Sequence, residues 1–296
     1  MTGLIGKAKP RADHRSGLPW RGPGEGRPDL PLPPGPMPLV KHGVMRKRWR
    51  YVGFYGDDLM LCAAQVAIGP FKNYFWSLWD RETGAVLEHT QLRPGRPEVS
   101  MEGNYVELRA EGLKASLVLG HTDPIEVICP SGRGWGWTRK RAGVPMAGRI
   151  ETSGAHGNRS WQIDGLGVDD ESAGYQARHT AWSWSAGIGV AADGRNVGWN
   201  LVAGINDPVE NSERAIWIDG DPVEPSPVVF DGLDSVSFLE GDLLQFHDGH
   251  AERRRHDNFG LVRSDYVHRF GTFTGSLGGI ELAEGAGVME EHDALW

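Results

Sequence analysis

The side chains best suited to chemistry cluster between Ala173 and Glu213. Read with the two-residue period of a strand, Arg178, Thr180, Trp182, Trp184 and Ala186 project to one face, and His179, Ala181, Ser183 and Ser185 to the other. Two indoles beside a guanidinium make either a ligand wall or a core strand whose arginine is neutralised by a carboxylate. The next segment carries Asn200 among Trp199, Leu201 and Val202. A buried amide there needs hydrogen-bond partners, from the core or from a ligand. Glu213 shares a face with Ala215 and Trp217 and is the natural partner of Arg178. Enclosed beside indoles, such a carboxylate has a raised pKa unless an arginine pairs with it, so a general acid and a register-fixing ion pair are both open readings. His156, in the glycine-bounded run Ser153–Arg159, is a second acid–base candidate on a loop. Glu213 and His156 are thus the candidate catalytic residues, and Arg178, Trp182, Trp184, Asn200 and Tyr175 the candidate ligand-binding ones.

Two other clusters carry less. His247-Asp248-Gly249-His250 followed by His256-Asp257 offers metal-ligand types. Asp248-Gly249 reads as a hairpin turn exposing both histidines, however, and Arg253, Arg254 and Arg255 would repel a cation, so no metal site is expected. In Arg46-Lys47-Arg48-Trp49-Arg50, Lys47 and Trp49 face one way and the three arginines the other, as on a solvated edge strand whose charges prevent edge pairing. The chain has no nucleophile elbow, phosphate-binding loop or dinucleotide fingerprint, so no cofactor is expected.

These residues must be positioned by strands. From Trp49 onward, short apolar or alternating runs are punctuated by Gly, Asp and Asn, the pattern of hairpins. Tyr51–Tyr55 pairs with Leu59–Val66, Tyr74–Trp79 with Val86–His89, Tyr105–Arg109 with Ala115–Leu119, and Thr180–Ile188 with Val197–Val202. Ala215–Ile218 pairs with Pro222–Phe230, and Leu243–Phe246 with a basic strand across Asp248-Gly249. No segment shows sustained helical spacing, so helices should be few and short. No repeat of about 40 residues marks a propeller. The expected fold is all-β: two consecutive antiparallel barrels or strongly curved sheets, over residues 43–160 and 161–296. Residues 1–42, rich in Pro and Gly, form an extended arm, either loose or laid in a groove with Trp20 and Leu30–Leu32 as anchors.

Composition narrows the function classes. A formal charge of −8 opposes a phosphate-tracking surface, so no nucleic-acid partner is expected. Cys62 and Cys129 are the two cysteines, both inside apolar runs, and they read as buried, reduced thiols. No run is long enough for a membrane span and no secretory block opens the chain, which makes the cytoplasm the default.

The strings Lys47–Gly53, Phe75–Arg81, Gly174–Trp184 and Gly287–Trp296 resemble the domain-of-unknown-function family numbered 2804, over about residues 42–296. More distantly the chain is similar to two-domain lipocalin-like proteins, among them carotenoid hydratases and tocopherol cyclase. The resemblance implies lipocalin-like barrels and a terpenoid or polyketide ligand held within or between them. Three functions are open: cofactor-independent hydration, isomerisation or cyclisation of a lipophilic substrate; a noncatalytic lipid-like ligand carrier; and carbohydrate binding or cleavage by a tryptophan platform.

Overall fold

The computed structural model describes residues 17–23, 26–92, 95–154, 157–258 and 262–296. Twenty-two strands and no α-helix occur among them, so the protein is all-β, with curled antiparallel sheets. Among the described residues no helix is long and apolar enough to cross a membrane.

Eleven strands form the first sheet. Val86–Gln91, Phe71–Asp80, Leu59–Ile68 and Lys47–Tyr55 make a meander. Arg159–Gly174 joins the last of these to Gly134–Thr152, and Leu113–Leu119, Tyr105–Ala110 and Val99–Glu102 continue to the far edge. Ile125–Ser131 pairs with the first part of Gly134–Thr152. The second sheet has nine strands, in the order Asp221–Val223, Ala215–Ile218, Asn196–Ala203, His179–Ala191, Ile280–Leu295, Arg263–Leu277, Leu243–Asn258, Ser235–Phe238 and Val228–Asp231. The chain passes from one sheet to the other between Gly174 and His179.

Each sheet curls around an apolar core of its own. Val52, Phe54, Leu59, Leu61 and Ile163 lie in the first, and Trp199, Leu201, Phe246 and Phe273 in the second. The residues between them in sequence point the opposite way, as the pleat requires. Tyr51, Tyr55, Met60 and Cys62 of the first sheet therefore pack against Trp184, Val202, Trp217 and Phe270 of the second. Burial on both faces explains why Leu59-Met-Leu-Cys-Ala-Ala64 is a continuous apolar run rather than an alternating one.

Three local expectations are corrected. Lys47–Tyr55 is an interior strand between Leu59–Ile68 and Arg159–Gly174, not a solvated edge. Lys47 is buried, and Arg50 pairs with Asp169 at 2.8 Å. Asp248-Gly249 is not a hairpin turn but a bulge inside the strand Leu243–Asn258. His250 adopts φ 57° there, and Gly249 and His250 are accommodated as two extra residues so that pairing resumes at Ala251. Of the expected partner Pro222–Phe230, only the part within Asp221–Val223 pairs with Ala215–Ile218, whereas Val228–Asp231 crosses to the opposite edge of the sheet.

Part of the Pro/Gly-rich segment docks on the body. Trp20–Gly22 pairs with Ile125–Ser131, and Trp20, Leu32 and Met37 are buried against Trp135, Trp137 and Tyr175. The two thiols are free and buried.

Candidate functional site

A cavity of about 190 Å³ opens between the two sheets, walled by both. Strand register explains its composition, because residues paired across neighbouring strands share a face. On the first sheet one such row is Lys140, Asp170, Tyr51, Ala64, Phe75 and Thr90. On the second sheet Arg253, His268, Glu290, Trp184 and Val202 form one row, and Arg255, Tyr266, His292 and Trp182 the next. All but His268 line the cavity.

Two carboxylate centres face this space. At the first, Lys140 Nζ lies 2.5 Å from Asp170 Oδ2 and 3.5 Å from Glu213 Oε1, with all three side chains buried. Asn206 Nδ2 donates to the other Glu213 oxygen at 2.9 Å. Burial raises the pKa of both carboxyls and Lys140 draws both down, while the neighbouring charge of Asp169 raises Asp170 and that of Asp170 raises Glu213. The lysine is held above its ordinary value by its two acidic partners despite its burial.

At the second centre Glu290 is pushed up to about 7, chiefly by burial. Trp182 Nε1 donates to its Oε1 at 2.9 Å, and Arg253 also favours the ionised form, but neither outweighs desolvation. His292 and His268 are driven the other way, each to about 3, by burial and the positive charge of Arg253. Both imidazoles are therefore neutral near pH 7. His292 Nε2 and Ser264 Oγ are 2.8 Å apart, and the Tyr51 hydroxyl lies 3.2 Å from His268 Nε2, which ties the two sheets together. Trp182 stacks between Trp49 and Trp296, both at 6.4 Å between ring centroids, with His292 at 4.3 Å.

The cavity takes in Trp182, Trp184 and Glu213 and leaves out the other described candidates. Arg178 is exposed at the crossing between the sheets, so the expected Arg178–Glu213 pair is replaced by Lys140–Glu213. Asn200 is a satisfied core amide: its Oδ1 accepts from Trp184 Nε1 and its Nδ2 donates to the Glu213 carbonyl, both at 2.8 Å. Tyr175 belongs to the cluster under the N-terminal segment, where its hydroxyl donates to the Pro38 carbonyl at 2.7 Å. His156 lies outside the described residues. Lys140, Asp170, Arg253, Tyr266, Glu290 and His292 were not anticipated as site residues. The available signal was period two in Arg253-Arg254-Arg255 and in Glu290-Glu291-His292, which turns alternate members of each run to one face. No group of ligand-type side chains suited to a metal ion occurs among the described residues.

Residues 96–296 match the family model described as domain of unknown function, DUF2804. The chain belongs to this family. The matched segment includes the whole second sheet and both long strands that carry Lys140 and Asp170. Among solved structures, kievitone hydratase from Nectria haematococca is similar at 9% identity and a TM-score of 0.52, over 84% of this chain and 89% of that one. A structure from Nitrosomonas europaea assigned to AttH aligns at 13% identity and a TM-score of 0.48, over 88% and 98%. These likenesses are of fold. No curated protein matches the sequence.

Proposed function

We propose that the cavity between the sheets binds a hydrophobic small molecule and that Glu290 moves a proton on it, in a cofactor-independent hydration, isomerisation or cyclisation. The observation that carries this reading is a buried carboxyl held near neutrality in its proton affinity, on the wall of an aromatic cavity. A general acid works best when its pKa lies near the operating pH. Because Trp182 Nε1–H occupies Oε1, the proton of the neutral acid resides on Oε2. The faces of Trp182, Trp49 and Tyr266 surround the same space and would stabilise positive charge developing on a protonated alkene or carbonyl. Glu213, held by Lys140 and Asn206, serves to close the inner end of the cavity rather than to titrate freely.

The resemblance in fold to kievitone hydratase, a hydratase by name, supports the reaction class without supplying residues. The tryptophans face a cavity between sheets instead of a platform along an open surface, which favours an apolar ligand over a sugar.

Native mass spectrometry of wild type and Glu290→Gln, purified in parallel, tests the reading. Both should carry a ligand of a few hundred daltons. The wild-type ligand should be heavier by one water or an isomer of equal mass when compared with that of the variant. Identical ligands would make the protein a carrier. If no apolar molecule co-purifies and Nile red does not bind, the cavity is not a lipophilic site.

A further inference from the structure

The cavity contains a cation that its own surroundings leave under-neutralised. Arg253 is buried, with its side chain 5% exposed. Its guanidinium lies over Phe75 of the first sheet at 4.4 Å and Tyr266 of the second at 4.9 Å, which fixes its plane. Nη2 donates to Thr90 Oγ1 at 2.6 Å. The nearest carboxylate is Glu88, 3.3 Å from Nε and itself 46% exposed. Nη1 makes no hydrogen bond among the described residues. The other lining cations are better compensated: Lys140 has Asp170 at 2.5 Å, and Arg255 has Asp257 at 2.6 Å. A buried charge without a close, equally buried counter-ion is costly unless something completes it.

We propose that the molecule taken up here is an amphiphile with one anionic oxygen, a carboxylate or an enolate, gripped by Arg253, and with its apolar body running along the wall toward Trp184. The inference rests on the reading of the cavity as a lipophilic site. Arg253, His268, Glu290 and Trp184 occupy four adjacent strands in register, so about 14 Å separates the guanidinium strand from the Trp184 strand. Glu290 stands two strands from Arg253, about 10 Å away. The acid therefore meets the ligand well down its body rather than at its charged end, which makes Arg253 the residue that sets which carbon is protonated.

The test compares decanoate with 1-decanol as displacers of Nile red at about pH 6, where decanoate is ionised. Wild type should prefer decanoate by about tenfold, the strength of one charge-assisted contact. Arg253→Gln should bring the two probes to within about twofold of each other by weakening decanoate alone. Equal binding of both probes by wild type overturns the proposal while sparing the lipophilic cavity. A preference retained in Arg253→Gln overturns it as well. Displacement by neither probe removes the lipophilic reading and this one together. Should Arg253→Gln not fold, Thr90→Val, which frees one of the guanidinium's anchors, must still narrow the preference, and the wild-type comparison decides by itself.

Discussion

Lys140 Nζ on the first sheet and Glu213 Oε1, just ahead of the strand Ala215–Ile218 of the second, lie 3.5 Å apart, with both side chains almost wholly removed from solvent. Asp170 completes the cluster, so one ammonium serves two carboxyls. Removing it leaves two buried acids without a cation. Lys140→Met should therefore cost about 3–5 kcal/mol of stability in urea unfolding. Adding Glu213→Gln to that variant should recover part of the loss, and a purely additive double mutant would show that the two groups do not interact.

Glu290 predicts a pH dependence of definite sign. Its folded pKa of about 7 exceeds its ordinary value of 4.5, so the folded state binds more protons than the unfolded chain between these values. Its contribution to stability is complete below pH 4.5 and is lost as pH rises through 7. Relative to Glu290→Gln, wild type should lose roughly 3 kcal/mol across this window. His268 and His292 have the opposite sign. Held to about 3 in the folded protein against 6.5, they withdraw stability as pH falls below 6.5. Chemical denaturation of wild type and Glu290→Gln at a series of pH values separates the two slopes, and parallel curves would mean that Glu290 is not perturbed.

Gly249 predicts a steric effect between the sheets. A Cβ built on it would lie 2.3 Å from a ring carbon of Trp79, which belongs to the first sheet. Gly249→Val should destabilise by about 2 kcal/mol through overpacking. Trp79→Leu in the same chain should relieve some of that cost, a coupling measurable in a double-mutant cycle.

The thiols predict inertness. Burial pushes Cys62 up to about 12 and raises Cys129 further. Neither should react with a disulfide reagent in the native protein at neutral pH, and both should titrate once it is denatured. Rapid native labelling of either would show that its surroundings open.

The legible part of the fold was the part written in neighbouring strands. Alternation turned Trp182 and Trp184 to one face, and Gly56-Asp57-Asp58 marked the hairpin that follows Tyr55. Period two alone does not tell which face is inward. In Arg253-Arg254-Arg255 the outer two residues point into the cavity and the middle one to solvent, whereas in the sequence the run reads only as a charge that would repel a cation. The partner of Glu213 was illegible for a different reason. Lys140 stands 73 positions earlier, on the first sheet, whereas Arg178 was nearer in sequence and of the right charge. Glu290 lies within the string Gly287–Trp296, but its raised proton affinity comes from burial between the sheets, against the hydrogen bonds of Tyr266 and Trp182, and the local sequence does not specify that burial. Asp248-Gly249 carried turn chemistry that a left-handed His250 spends on a bulge.

The chamber has one wall from each sheet, and Tyr51 reaches across to His268 behind it. Its occupant would touch both halves of the molecule simultaneously, so filling it would oppose their separation. Swelling the seam to let a guest escape must also strain that phenol–imidazole contact. Residence time and mechanical cohesion of the two halves are thus governed by the same interface, and a tight guest would double as a fastener.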